Sequence, residues 1–137
     1  MEKQVNEKAH LEKVFLLDDD DQSNFIFEEE LRDSQIPAEI IIENNGWQAL
    51  KYLNECESQN KFPDFVFVDL KMPKMDGFEF IRYFEIRFSK KFPQTKVIVL
   101  TNSSNPKDRE KVLENSIVTG FLQKPVTSAI LKNLITV

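Results

Sequence analysis

Cysteine is almost absent. The 137 residues contain one, Cys56, so no disulfide can close within the chain and a multi-cysteine zinc site is excluded. Histidine is equally scarce: the only one, His10, stands in a polar stretch and reads as a solvated side chain. Positive charge is in deficit, with 18 Lys and Arg against 23 Asp and Glu and a formal net charge of -5. A phosphate backbone wants a basic patch, so the sequence gives no footprint for direct nucleic-acid binding. No apolar run approaches the length of a membrane span. The amino terminus, MEKQVNEKAHLEK, mixes both charge signs and lacks the apolar centre of a secretory signal. A cytoplasmic protein with no membrane partner is the expectation.

What is present suits one ordinary hydrophobic core. Hydrophobic residues make up 41% and charged residues 30% of the chain, a globular balance rather than a disordered one, and the length favours a single domain. Phenylalanine is over-used, with 12 residues, and reads as core filler. Residues 1–11 are polar and aperiodic, a flexible extension, and the domain is expected over 12–137. Five short apolar runs follow, at 13–17, 39–42, 64–68, 96–100 and 118–122; each has the length of a buried strand.

Helical patterns lie between these runs. SNFIFEEELRD can begin at Ser23 as N-cap, with Ile26 on one side and Phe27 and Leu31 on another. GWQALKYLNECE offers Trp47, Leu50 and Leu53 as one face, with Ala49 beside Leu53, and Cys56 on this helix reads as structural. GFEFIRYFEIRF aligns Phe80, Ile81, Phe84 and Phe88. NPKDREKVLENS has Pro106 at a first helical position, a Val112–Leu113 pair, and a mixed-charge face from Lys107 to Lys111 that reads as solvated. TSAILKNLITV ends the chain with Ile130, Leu131 and Leu134, capped by Thr127 or Ser128. Strands alternating with helices predict an α/β fold, a parallel sheet covered on both faces.

In such sheets ligands bind beyond the carboxyl ends of the strands. There the sequence places Asp18-Asp19-Asp20-Asp21, then Asp69, then Thr101-Asn102, then Lys124-Pro125. Carboxylates at neighbouring strand ends form a hard-oxygen site suited to Mg²⁺ or Mn²⁺. An aspartate there can act as a nucleophile toward phosphorus, with an ammonium and a hydroxyl to hold the transferred oxygens. The run from Asp18 to Glu29 also puts oxygen ligands at several EF-hand positions. It has Ser23 where the turn glycine belongs and a strand where the first helix belongs, which rejects that site.

VFLLDDDD, FVFVDLKMPKMDGFEFI, VIVLTNSSNP and GFLQKPV, in this order and spacing, resemble the signature stretches of two-component response regulator receiver domains, and NNGWQAL resembles the start of their second helix. The resemblance runs from about Lys13 to the carboxyl terminus. It implies a (βα)5 doubly wound sheet in the flavodoxin-like strand order 2-1-3-4-5. It also implies roles. Asp18 and Asp19 would bind the metal together with Asp69 and the backbone carbonyl of Lys71, although four consecutive aspartates leave open a register in which Asp20 replaces Asp18. Asp69 would accept a phosphoryl group from a histidine kinase or phosphotransfer protein. Thr101 would bond a phosphoryl oxygen and shift on activation, Lys124 would pair with the phosphoryl group, and the Lys124–Pro125 peptide would be cis. Phe121 falls on the aromatic switch position. Lys71, Asn102 and Ser103 stand where the reaction rates are tuned, and Asn102 replaces the usual Ala, Ser or Gly. Gly77 suits a turn of positive φ.

These expectations describe a stand-alone phosphorylation switch with Mg²⁺ or Mn²⁺ as cofactor, which accepts a phosphoryl group and loses it again rather than turning over a substrate. With the chain ending at the fifth helix, the signal is expected to pass to a downstream protein through the fourth helix, fifth strand and fifth helix. Pairing with a second copy stays open. Two other readings are kept. One is an aspartate-dependent phosphohydrolase, using Asp18-x-Asp20 as its Asp-x-Asp pair. The other is a receiver-like scaffold that works without phosphorylation.

Overall fold

The computed structural model describes residues 11–136, without the Thr136 side chain; His10 and most of the expected extension lie outside them. Strands β1 (Glu12–Leu17), β2 (Ala38–Glu43), β3 (Phe65–Asp69), β4 (Lys96–Thr101) and β5 (Val118–Gln123) alternate with helices α1 (Asp21–Asp33), α2 (Gly46–Gln59), α3 (Gly77–Arg87), α4 (Pro106–Leu113) and α5 (Ser128–Thr136). The strands form one sheet in the order β2-β1-β3-β4-β5, with every pairing parallel. This is the α/β parallel sheet that the alternating pattern predicts, in the doubly wound strand order that the resemblance implies.

Strand periodicity sorts the apolar residues onto two faces. Phe15, Leu17, Val66, Val68, Val97 and Val99 enter a core shared with Ala49 and Leu53 of α2, Phe80, Ile81 and Phe84 of α3, and Val112 of α4. Val14, Leu16, Phe65, Phe67, Ile98 and Leu100 face the opposite way, onto Phe27 and Leu31 of α1 and Leu131 and Ile135 of α5. The phenylalanines are packing residues except Phe25, which is 63% exposed. Phe62, Phe84, Phe88 and Phe92 form a chain of ring contacts, with Phe62 and Phe92 stacked at a centroid separation of 3.8 Å. Among the described residues no helix is long and apolar enough to cross a membrane.

Three local expectations are corrected. The N-cap of α1 is Asp20, which accepts from the Gln22 amide; Ser23 lies inside the helix, with its hydroxyl donating to Asp20 Oδ2 at 3.0 Å. In α2 the buried face is Ala49, Leu53 and Cys56, whereas Trp47 is 57% exposed and leans on Tyr83. Of the apolar residues of α4 and α5, Val112 and Leu131 are buried while Leu113 and Ile130 are exposed, at 50% and 38%. Helix α5 starts with the Thr127 hydroxyl accepting from the Ile130 amide at 3.3 Å, which settles that cap. Pro106 does occupy the first turn of α4, behind Asn105 as N-cap.

Gly77 is the third correction. No described glycine has a positive φ; in its segment that conformation falls on Lys74, at 66°. Gly77 is needed for close approach, because a Cβ there would lie 2.4 Å from the Asp69 carbonyl oxygen and 2.7 Å from Leu70 Cα. Both atoms are backbone, so neither can swing aside. Gly77→Ala is expected to cost about 3 kcal/mol through overpacking, read from the urea midpoint. Gly46 is the control: a Cβ there would meet the Met75 side chain, starting at Sδ 2.4 Å away, and a flexible thioether can move. Equal losses in the two variants would refute this reading of Gly77.

Candidate functional site

The carboxyl ends of β1, β3, β4 and β5 lie side by side because the strands pair in register. Asp69 is the last residue of β3 and Thr101 the last of β4, so each strand runs one residue beyond the end that the sequence suggests. The ladder runs slightly further still: the Asp18 amide donates to Glu43 O at 3.1 Å and the Lys124 amide to Thr101 O at 2.8 Å. These backbone bonds fix where four functional side chains begin.

Oxygens of Asp18, Asp19 and Asp69 lie within 4.8 Å of one another. Asp18 and Asp69 are 1% and 5% exposed, while Asp19 faces solvent. The Lys124 ammonium sits between the buried pair, 2.5 Å from Asp18 Oδ2 and 3.4 Å from Asp69 Oδ1. Three carboxylates against one ammonium leave two negative charges, and the donors are all hard oxygens. That set fits a divalent cation of the Mg²⁺ or Mn²⁺ type. Asp20 is outside the cluster, its carboxylate committed to the start of α1.

The electrostatics follow from burial. The Asp69 carboxyl is pushed up to about 6, first by loss of solvation and then by the Asp18 charge, with Lys124 working the other way. It is therefore mostly ionised at neutral pH. For Lys124 burial favours the neutral amine, yet the hydrogen bond and charge of Asp18, with Asp69 behind, overcome this and raise its pKa. The Asp20 carboxyl is held low by the Ser23 hydroxyl and the Gln22 amide.

The remaining predicted residues surround this cluster. Thr101 is fully buried, and its Oγ1 accepts from the Ser103 amide at 2.9 Å. The Lys124–Pro125 peptide is cis. Asn102 lines a cavity of about 190 Å³ together with Asp18, Ser23, Phe27, Lys124 and Pro125. The Lys71 side chain turns away toward Asp108. Phe121 stands apart from the carboxylates, partly buried against the α2–α4 core, with the Arg109 guanidinium 5.7 Å from its ring centroid.

Two neighbours escaped sequence reasoning. Asn24 is buried, and its side-chain amide donates to Asp18 O at 2.9 Å, tying α1 to the acidic loop. Its signal was a polar residue on the Asn24, Phe27, Leu31 stripe of α1. Asp108, read as solvated, accepts from the Ser103 hydroxyl at 2.6 Å in the loop just before α4 and lies 3.8 Å from Lys71 of a distant loop, neither of which helical spacing reveals.

Comparison with known proteins agrees with this geometry. The family profile described as the response regulator receiver domain matches residues 14–136. Response regulator Rcp1 of Synechocystis sp. (strain ATCC 27184 / PCC 6803 / Kazusa) is 32% identical over 108 residues, covering 76% of this chain and 71% of that protein. Hybrid signal transduction histidine kinase B of Dictyostelium discoideum is 33% identical over 135 residues, 91% of this chain but only 6% of the kinase. The crystal structure of a two component response regulator from Cytophaga hutchinsonii superimposes with a TM-score of 0.84 at 30% identity, covering 92% of this chain and 95% of that one. The Mn(2+)-bound form of response regulator Rcp1 does so with a TM-score of 0.72 at 26% identity, covering 90% and 91%. Strand order, the acidic cluster at the strand ends and the match over residues 14–136 lead to one conclusion: the chain belongs to the response regulator receiver domain family.

Proposed function

We propose that this receiver domain is a phosphorylation switch in which Asp69 is the phosphoacceptor. The observation that carries the reading is the buried Asp69 carboxylate, flanked by Asp18 and Asp19 and 3.4 Å from the Lys124 ammonium. An Asp69 oxygen attacks the phosphorus of a phosphohistidine on a histidine kinase or phosphotransfer protein. The new O–P bond forms as the P–N bond breaks, and the imidazole leaves with the electron pair. Lys124 neutralises part of the phosphoryl charge, and the Thr101 hydroxyl donates to one of its oxygens. Asp18, Asp19, Asp69 and the Lys71 carbonyl would hold Mg²⁺ or Mn²⁺. When bound, such an ion supplies the positive charge that lets two anions, acceptor and phosphoryl group, approach.

The phosphoryl group then biases the β4–α4 loop, α4 and Phe121 between two arrangements, and the α4–β5–α5 surface carries the result to a downstream protein. The Mn(2+)-bound Rcp1 neighbour supports the choice of ion, and the sensor histidine kinase CheAY of Helicobacter pylori (strain ATCC 700392 / 26695), 30% identical over 96 residues, supports the donor class. This chain spans 11% of that kinase. The phosphohydrolase reading needs Asp20 as an acid beside the reacting atoms, and Asp20 is bound to Gln22 and Ser23 instead.

Intact mass after incubation with acetyl phosphate tests the reading. A single added phosphoryl group is expected, dependent on Mg²⁺, stable in acid and lost in base. Absence of the adduct, or catalytic turnover of a small phosphomonoester, would refute it.

A further inference from the structure

Asp108 is the third residue of α4, counted from its N-cap Asn105. A carboxylate there ordinarily turns back to the N-cap amide. Here the Asn105 amide donates to Ser103 Oγ at 3.1 Å, and the Ser103 hydroxyl donates to Asp108 Oδ2 at 2.6 Å. The same Oδ2 lies 3.8 Å from the Lys71 ammonium. The Asp108 side chain is only 19% exposed, which shelters its bond to Ser103, whereas the Lys71 side chain is 70% exposed and is the weaker partner. Lys71 and Ser103 stand two residues beyond Asp69 and Thr101, one in each loop bordering the acceptor. The Ser103 amide also holds Thr101 Oγ1, at 2.9 Å, so the position of Ser103 governs that of Thr101.

We propose that Asp108 is a positioning residue: a resident anion that holds Ser103, and through it Thr101, together with Lys71, in the resting arrangement. It competes with a phosphoryl group on Asp69 for these donors. The inference rests on the phosphoacceptor reading above. A phosphoryl group brings nearly two negative charges and three strong acceptor oxygens. The Ser103 hydroxyl has a single proton and serves one acceptor at a time. The Lys71 ammonium is similarly drawn to the larger charge. Every donor that stays with Asp108 is withheld from the acceptor, so removing the Asp108 charge shifts the two-state balance toward the phosphoryl-bound arrangement.

The test is titration with beryllofluoride, a tetrahedral phosphoryl mimic, in millimolar Mg²⁺, following the backbone amide resonances of the β4–α4 loop. Wild type, Asp108→Asn, Asp108→Ala, Ser103→Ala and the Ser103→Ala/Asp108→Ala double variant are compared. Asp108→Asn and Asp108→Ala are expected to half-saturate at a concentration roughly three- to tenfold lower than wild type. In the Ser103→Ala background, Asp108→Ala should have a clearly smaller effect, because one connection is already cut. An acid that only supports the helix dipole would lower thermal stability and leave half-saturation unchanged, and fold-changes of the two substitutions that simply multiply would mean that Ser103 and Asp108 act independently; either result overturns the proposal. Should wild type bind no beryllofluoride and gain no phosphoryl group, the acceptor reading fails and takes this proposal with it. A wild type that labels normally, with Asp108 variants no tighter than it, defeats the Asp108 role alone.

Discussion

Asp69→Asn is expected to gain no mass from acetyl phosphate and Mg²⁺ where wild type gains one phosphoryl group, and to be the more stable protein in metal-free buffer above pH 6. The first result follows from chemistry: the amide is a poor nucleophile and carries no charge. The second follows from linkage. The folded-state pKa of Asp69 is raised to about 6 by burial and then by Asp18, against an ordinary value near 4. The folded state therefore binds this proton more tightly than the unfolded chain does. Its contribution to stability is complete below about pH 4 and lost as pH rises through about 6. Above that, the ionised carboxylate works against folding by about 2–3 kcal/mol, at 1.36 kcal/mol per pKa unit. Asparagine avoids this penalty while giving up the attraction to Lys124. Urea midpoints should therefore favour the variant at pH 7.5 and converge near pH 4. Parallel curves across that window would refute the electrostatic account, and undiminished labelling would move the acceptor elsewhere.

Lys124→Met should have the opposite sign. The ammonium is held against Asp18 and Asp69 and is itself 9% exposed. Removing it leaves two buried carboxylates with no cation, a change that costs about 3 kcal/mol when one partner of a buried pair is lost. The raised pKa of Lys124 means that its contribution is fully present at neutral pH and fades only in the alkaline range. Binding of a divalent ion to the folded state adds stability by linkage in either protein. In the variant the ion faces three carboxylates without a competing ammonium, so millimolar Mg²⁺ should raise the melting temperature of Lys124→Met more than that of wild type. A variant as stable as wild type without metal, or one that gains no more from Mg²⁺, would contradict this picture.

Much of this architecture was legible because a parallel sheet buried on both faces writes its strands as continuous apolar runs. VFLL, FVFV and VIVL could hardly be anything else, and the charged or hydroxylated residues at their ends stood out against them. Strand limits were harder to place. Asp69 and Thr101 were read as following their strands, but ladder hydrogen bonds use the backbone and ignore side-chain polarity. The cap of α1 could not be chosen among four aspartates and Ser23 by composition; the point where the chain turns after β1 decides it. Trp47 was placed inward on hydrophobicity, yet the phase of α2 is set by Ala49, Leu53 and Cys56, the residues that reach 0–3% exposure. Gly77 was given the right importance for the wrong reason, since conformational freedom and lack of bulk look alike in a sequence. Asp108 was hidden because Ser103 lies outside the helical pattern and Lys71 belongs to a loop that only the fold brings near.

The two-faced sheet carries a last consequence, one of parity. Along β1, Val14 and Leu16 belong to one core, and Phe15 and Leu17 to the other. An inserted residue in such a strand exchanges odd for even, sending each downstream side chain to the opposite core. Asp18 follows Leu17 directly, so the first carboxylate of the cluster occupies its place by counting as much as by chemistry. Val68 likewise hands its parity to Asp69. Lengthening an outer loop leaves that count untouched; adding one residue to β1 or β3 spends it entirely.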